Sequence, residues 1–188
     1  ILWALDRGVH VFGASSMGAL RAAELHPFGM VGVGWVFEQF RDGRLHDDDE
    51  VAVAHATADD DFRSLSTAMV DLRHLVASAV TAHLLDGDEA TALVDAAKSL
   101  PYQQRALPTM LRAADGAVDP GAADRLRAFA RSQGRGRKHD DARQLLDLLG
   151  DHLAAGGAFE PRFYVEPTVF LDAAVHEVDR EEALGTGS

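Results

Sequence analysis

The stretch VHVFGASSMGALRAAEL, residues 9–25, decides the fold of this chain. It begins as an apolar run, passes through a cluster of glycine and serine, and ends with helical periodicity. The β-branched and aromatic residues at 9–12 predict a short buried strand. Ser15 or Ser16 then begins a helix, which Pro27 ends. The stretch therefore predicts a strand–loop–helix unit with two adjacent serines at its turn.

The remainder of the chain is predicted to be mostly helical. A glycine-rich segment at 29–34 is predicted to be a linker. The alternation of apolar residues from Val51 to His55 predicts a second strand. The segment FEPRFYVEPTVF, 159–170, predicts a short strand before a tail that frays. Helices are predicted over 1–7, 17–26, 35–42, 67–85, 88–100, 102–115, 120–132 and 139–155.

These elements predict a helix-rich α/β fold. We expect an α/β core at 1–60 that carries the serine loop, a helical region at 61–156 packed on it as one domain, and a C-terminal extension at 157–188. The segment ILWALDRG at the start resembles the last turns of a helix ending at Gly8, so we expect the native chain to continue upstream of Ile1.

Composition excludes several classes of function. The chain has 188 residues and a net charge of −12, which makes nucleic acid an unfavourable partner. It has no cysteine, and therefore no disulfide, no thiolate nucleophile and no cysteine-based zinc site. No signal peptide and no bilayer-spanning run is visible, so we expect a cytoplasmic protein that does not bind membranes. We expect neither a cofactor nor a metal.

Four interpretations fit the serine loop. Ser15 or Ser16 as a simple helix N-cap is the most ordinary, and such a cap contributes about 1 kcal/mol. A phosphate loop requires Lys-Ser or Lys-Thr where Ala19 and Leu20 stand, and we set it aside. A dinucleotide fingerprint requires a glycine in place of Ser15 and an acidic residue ending a second parallel strand, which makes it a weak alternative.

The fourth interpretation is a serine nucleophile. A serine on a sharp strand-to-helix turn presents its hydroxyl beside the unpaired amides of the helix, which stabilise an oxyanion. Gly13, Ala14 and Gly18 are predicted to leave room for a carbonyl group to approach. Serine requires a base, and the sequence alone pairs none with Ser16.

The chain resembles TfuA-like proteins. The run from Ile1 through GASSMGALRAAEL and GMVGVG to RDGRLHDDDEVAV carries the resemblance, which is dense over residues 1–55. It continues more thinly at SLSTAMVDLR (64–73), AKSLPYQQR (97–105) and RKHDDARQLL (137–146). The resemblance implies association with YcaO enzymes, which use ATP to replace a peptide backbone oxygen by sulfur in a peptide or protein substrate. It also implies hydrolysis of the thiocarboxylated C-terminus of a ThiS-type sulfur carrier, with a serine–lysine pair and release of sulfide.

The resemblance places the catalytic serine at Ser16, with Ser15 as its supporting neighbour. The chain has two lysines; Lys138 is our choice as the base, and Lys98 is predicted to be solvated. A lysine upstream of Ile1 is a third possibility. We expect the amides of Met17 and Gly18 to form the oxyanion site. Arg135 and Arg137 are expected to help lower the pKa of Lys138.

Other polar residues receive mainly structural predictions. Arg21 and Glu24 are predicted to form an ion pair with a possible role in positioning the carrier tail, and His10 to be a hydrogen-bonded histidine near the loop. HDDDE (46–50) is predicted to be a solvated acidic turn, because consecutive carboxylates are not expected all to converge on one ion. Candidates for gripping an acidic carrier or YcaO, or for ordinary surface charge, are Arg63, Arg73 and Arg105.

Three functions follow from these predictions. The first is a thiohydrolase that acts on a carrier protein and supports YcaO. The second is a non-catalytic partner that brings peptide or carrier to YcaO, with Ser16 only a cap. The third is a general serine esterase or peptidase, which the sequence does not support because no Asp–His relay is evident.

Overall fold

The computed structural model describes residues 1–156, 160–161, 163–166 and 168–176. The named strands are β1 (Phe12–Ala14) and β2 (Val31–Val33), and the named helices are α1 (Leu2–Asp6), α2 (Met17–Leu25), α3 (Gly34–Arg41), α4 (Met69–Thr81), α5 (Gly87–Ser99), α6 (Leu107–Ala113), α7 (Pro120–Ser132) and α8 (Arg137–Ala155). Short 3₁₀ turns lie at His26–Phe28, Asp48–Glu50, Ala58–Asp60 and Tyr102–Gln104. The predicted helix-rich α/β class is confirmed.

A two-stranded parallel sheet organises the N-terminal part. Phe12 pairs with Val31 and Ala14 with Val33, and α2 crosses between the two strands. Because the strands are parallel and in register, their carboxyl ends lie at the same edge of the sheet. Both α2 and α3 begin just beyond that edge. The edge therefore brings together the turn that carries Ser16 and the first turn of α3.

The strand predictions were only partly right. β1 begins at Phe12, so that His10 precedes the strand, and the glycine-rich link contains β2. The strand predicted at Val51–His55 is absent, and only an isolated antiparallel bridge joins His55 to Ser64 there. Charged and small residues around this segment favour a 3₁₀ turn and a loop instead.

The C-terminal predictions fall partly outside the described residues. Of the segment 159–170, positions 159, 162 and 167 are not described, and the others form no strand. Residues 169–176 are helical. The tail predicted to fray lies at 177–188, outside the described residues.

Helix ends follow the local signals in the sequence. Pro27 ends α2 by starting a 3₁₀ turn. The Asp86 carboxylate accepts a hydrogen bond from the Glu89 amide and the Glu89 carboxylate accepts one from the Asp86 amide, which makes a capping box at α5.

Two groups of buried apolar side chains stabilise the described residues. One lies under α2 and α3 and includes Leu5, Leu20 and Val36. The other lies among α4, α5, α6 and α7 and includes Leu72 and Leu93. Adjacent residues at the start of α4 enter different groups: Met69 packs in the helical one and Val70 in the sheet-side one. Helix α4 therefore joins the two parts of the core.

Candidate functional site

The two serines occupy the turn between β1 and α2. Ser15 has a φ of +71°, a conformation that residues with a Cβ rarely adopt, and Ser16 is the N-cap residue of α2. Its amide donates to the Ala14 carbonyl at 2.7 Å, which tightens the turn. Both serines are half-buried. This is the sharp, strained strand-to-helix turn that the nucleophile interpretation requires.

The hydroxyl of Ser16 does not cap the helix. It makes no hydrogen bond to the first-turn amides or to any other described residue, so the simple N-cap prediction was wrong. The amides of Met17 and Gly18 have no acceptor among the described residues either, and the Met17 side chain is exposed. An unbonded hydroxyl and two unbonded amide donors are thus presented together at the positive end of α2.

Gly13 of the loop serves packing, while the room that Gly13, Ala14 and Gly18 leave for a substrate carbonyl stays a prediction. A Cβ on Gly13 would lie 2.1 Å from the carbonyl oxygen of Gly18 and 2.7 Å from Cε of Met30. The strand and the first turn of α2 therefore approach each other at backbone contact distance. Ala14 is buried beside them.

Because of this close approach, a larger residue at Gly13 should destabilise the fold. Substitution Gly13→Ala forces a methyl group against backbone, and we expect it to lower the free energy of unfolding by about 1–3 kcal/mol. The urea midpoint followed by circular dichroism measures the loss. Gly87→Ala is the matched control, because no atom lies within 4 Å of a Cβ built at Gly87. Equal midpoints for the two variants would contradict the packing role of Gly13.

Lys138 lies at the start of α8, close to the same sheet edge. Three residues after it, Asp141 contacts the first turn of α3, which directly follows β2. Lys138 Nζ donates to the Val51 carbonyl at 2.9 Å, and no hydrogen bond joins it to Ser16 in the described residues. Burial lowers the pKa of Lys138, while the nearby Asp71 opposes part of the shift.

The arginines near Lys138 do not act as predicted. Burial lowers the pKa of Lys138, without a contribution from Arg135 or Arg137. Arg137 forms an ion pair with Asp141 at 2.9 Å. Arg135 lies on the wall of a cavity of about 330 Å³ between α4 and the loop before α8.

Lys98 is held by carboxylates and is not a solvated lysine. Its Nζ lies 3.0 Å from Asp47 Oδ2 and 3.0 Å from Glu50 Oε1, and it contacts Asp49. Burial alone lowers the pKa of Lys98, but its bonds to Asp49, Glu50 and Asp47 outweigh burial and raise that pKa above 10.5. Lys98 is therefore unsuited to act as a base at neutral pH.

The acidic segment 46–50 is built into the fold. The prediction of a solvated turn was wrong for Glu50, whose side chain is 2% exposed. The carboxylates of Asp47, Asp49 and Glu50 meet at the ammonium group of Lys98, and Asp48 does not join them, in keeping with the expectation that they do not all converge. That ammonium lies among the carboxylates, where it neutralises part of their charge.

Two arginines complete this ion-pair cluster. Arg73 binds Glu50 through two hydrogen bonds, of 2.8 and 2.9 Å. Arg105 is buried; it donates to Asp49 Oδ2 at 2.6 Å and to the Asp49 carbonyl at 2.9 Å. Neither is free to grip a partner, which corrects that prediction, whereas Arg63 is exposed. The cluster ties the acidic segment to α4, α5 and the chain that follows α5.

Sequence analysis missed two aspartates, of which Asp141 is buried and Asp71 is half-buried. Asp141 is fully buried and accepts hydrogen bonds from the amides of Trp35 at 3.1 Å and Val36 at 2.7 Å. Asp71 accepts one from the amide of Lys138 at 3.0 Å. Each carboxylate therefore caps a helix from a distant part of the chain. The aspartate positions alone carry no signal of this, because the helices that they cap are far away in sequence.

The two aspartates share an electrostatic property. Burial raises the pKa of Asp141 and of Asp71, and the amides that donate to each carboxylate offset only part of the shift. Arg137 also opposes the shift at Asp141. The start of α8 therefore combines two carboxyl groups of raised pKa with an amine of lowered pKa.

The remaining predicted residues have structural roles. Arg21 and Glu24 form an exposed ion pair one turn apart, as predicted. The ring of His10 lies 4.4 Å from that of His152 and 6.4 Å from that of Phe12, measured between centroids. His10 therefore packs against the end of α8.

A comparison with family models decides which family this is. The model described as TfuA-like protein matches residues 1–106, more than half of the 188 residues. The chain belongs to the TfuA-like family. Membership associates it with YcaO-dependent thioamidation. No curated protein matches the chain.

The family match covers some of the candidate site residues of this TfuA-like chain and not others. Ser16 and Lys98 lie inside it, whereas Lys138 lies beyond residue 106. Within the described part of the chain, no helix has the length and apolarity to cross a membrane.

Proposed function

We propose that this TfuA-like chain hydrolyses the thiocarboxylated C-terminus of a ThiS-type sulfur carrier and thereby supplies sulfide to YcaO. The observation that carries the proposal is the hydroxyl of Ser16. It is half-buried, forms no hydrogen bond with a described residue, and is adjacent to the amides of Met17 and Gly18, which have no acceptor among those residues either. A serine hydroxyl beside unbonded helix amides suits attack on a carbonyl and stabilisation of the resulting oxyanion.

The proposed reaction has two steps. Ser16 Oγ attacks the thiocarboxylate carbon while a neutral amine takes its proton, and the amides of Met17 and Gly18 bind the oxyanion. The C–S bond then breaks, sulfide leaves with a proton from the amine, and Ser16 holds the carrier as an ester. Water hydrolyses this ester, which returns the hydroxyl and leaves the carrier as an ordinary carboxylate. The sum is thiocarboxylate plus water giving carboxylate plus hydrogen sulfide.

Lys138 is the base in this proposal. Its pKa is lowered by burial, whereas that of Lys98 is raised by three carboxylates, so Lys138 is the lysine with the larger neutral fraction. To act as the base, Lys138 Nζ must leave the Val51 carbonyl and reach Ser16. We assign this movement to the step in which the carrier tail binds between Lys138 and Ser16.

The proposed lysine role predicts a pH dependence. A base is active when deprotonated, so sulfide release rises with pH, with a midpoint below the ordinary lysine value of 10.5. We expect Lys138→Met to lower kcat by about 10²-fold and to remove this limb of the pH profile. Lys98→Met is the control; it should weaken the fold through its ion pairs but leave the limb in place. A Lys138→Met enzyme with an unchanged profile would contradict the assignment.

A direct assay separates catalysis from the alternative of a non-catalytic partner. The purified chain is incubated with thiocarboxylated carrier in the absence of YcaO, and sulfide release and loss of the thiocarboxylate are followed. Turnover above the rate of the carrier alone supports the hydrolase. Binding of carrier or peptide without turnover, together with stimulation of YcaO, would instead assign the chain a recruiting role.

A further inference from the structure

Residues 54–66 form a closed loop, which we name the acidic-aromatic loop. The Ala54 amide donates to Ser66 Oγ at 2.9 Å, and the Leu65 amide donates to the Ala54 carbonyl at 2.7 Å. A bridge between His55 and Ser64 continues the closure. The base of the loop is therefore fixed to the fold, since Ser66 is buried.

At the tip of the loop, the solvent-exposed Phe62 has a strained backbone conformation. Asp61 and Phe62 have φ values of +59° and +50°, a region in which a bulky residue is a genuine outlier. The Phe62 side chain is 64% exposed, so burial of its ring does not compensate for the strain. Strained residues of this kind concentrate at functional sites.

Hydrogen bonds hold the ring in this position. The Phe62 amide donates to the Thr57 carbonyl at 3.2 Å, and His55 Nδ1 donates to the Phe62 carbonyl at 2.9 Å. The Asp61 amide donates to the Ala58 carbonyl at 3.1 Å. The backbone that carries the aromatic side chain is thus ordered in advance, which reduces the conformational entropy lost on binding.

Charge limits what the loop can meet. Asp59, Asp60 and Asp61 precede the ring and the exposed Arg63 follows it, so the loop keeps a net negative charge. None of the three aspartates forms an ion pair with a described residue. Nucleic acid and anionic membranes are repelled by such a loop, and a second copy of a chain with net charge −12 is also unfavourable. Leu65, 52% exposed, adds apolar surface beside the ring. The complementary surface is a protein with an apolar pocket and a rim of lysine or arginine.

We propose that the acidic-aromatic loop inserts Phe62 into an apolar, basic-rimmed pocket on the YcaO enzyme. The inference rests on the proposed function only in taking YcaO as the partner; it does not depend on Ser16. Aromatic anchors in pockets carry much of the binding energy of protein interfaces, and flanking charges increase the rate of association.

The test is the variant Phe62→Asn. Asparagine tolerates positive φ better than phenylalanine, so the loop keeps its backbone and thermal stability does not fall, while the ring is lost. We expect affinity for purified YcaO, measured by calorimetry, to fall at least about 10-fold. Phe170→Asn is the matched control: Phe170 is 89% exposed but lies outside the loop, and its loss should leave affinity unchanged. Asp59→Asn with Asp60→Asn should weaken binding and flatten its dependence on salt.

Several outcomes would overturn the proposal. They are a wild-type chain that does not bind YcaO, a Phe62→Asn variant that binds as tightly as wild type, and a concentration-dependent dimer that Phe62→Asn abolishes, which would identify a second copy as the occupant. Sulfide release from thiocarboxylated carrier without YcaO is unchanged in Phe62→Asn under the proposal. Failure of the docking surface is therefore distinguishable from failure of the hydrolase.

Discussion

We expect replacement of Ser16 by alanine to abolish sulfide release from thiocarboxylated carrier and to leave the fold intact. The variant removes the proposed nucleophile, and we expect kcat to fall by at least about 10³-fold. The fold is preserved because the Ser16 hydroxyl makes no hydrogen bond to a described residue. The change in the free energy of unfolding should stay within about 0.5 kcal/mol, as for substitutions that remove no contact. Sulfide release and urea unfolding, measured on the same preparation, test both halves of this expectation.

The neighbouring serine supplies the control. Ser15 has a φ of +71°, so Ser15→Gly removes the hydroxyl and suits the backbone better than serine does. We expect Ser15→Gly to retain sulfide release and to be at least as stable as wild type. The opposite pattern, with Ser16→Ala active and Ser15→Gly inactive, would move the nucleophile to Ser15. Full turnover in both variants would remove the serine mechanism altogether.

The helices were predictable because their signals are local. Helix α7 occupies Pro120–Ser132, the predicted range, because Asp119 accepts from the first-turn amides and Pro120 suits the first helical position. The strands were less predictable. β2 has the sequence VGV inside a glycine-rich segment, and its identity depends on pairing with β1. Strand formation that depends on a distant partner leaves little trace in the strand itself.

The site shows the same division between local and distant causes. The position of Ser16 at the start of α2 follows from the apolar run, the small residues and the helical periodicity around it. The surroundings of the two lysines do not follow from any neighbouring residue. Lys98 meets Asp47, Asp49 and Glu50, about 50 residues away, and Lys138 meets the carbonyl of Val51. The surroundings that distinguish the two lysines therefore required the tertiary structure.

Asp141 is the residue whose loss should cost the most stability. Substitution Asp141→Ala leaves the amides of Trp35 and Val36 without an acceptor and leaves Arg137 without its carboxylate. Removing one partner of a buried ion pair costs about 3–5 kcal/mol, a large part of the 5–15 kcal/mol that is usual for a domain. We expect a correspondingly lower urea midpoint, followed by circular dichroism.

The adjacent aspartate makes this prediction specific. Asp140 has an exposed side chain, 53% accessible, and Asp140→Ala should cost less than about 0.5 kcal/mol. The urea midpoint of Asp141→Asn should lie between those of the two alanine variants. Its amide oxygen still accepts a hydrogen bond from α3, but the neutral side chain no longer balances the charge of Arg137. The carboxylate also fills the space beside Gly34, where a Cβ would lie 2.4 Å from its carbon. Equal midpoints for Asp140→Ala and Asp141→Ala would show that α8 is not held at the sheet edge by this carboxylate, and the proposed approach of Lys138 to Ser16 would lose its structural basis.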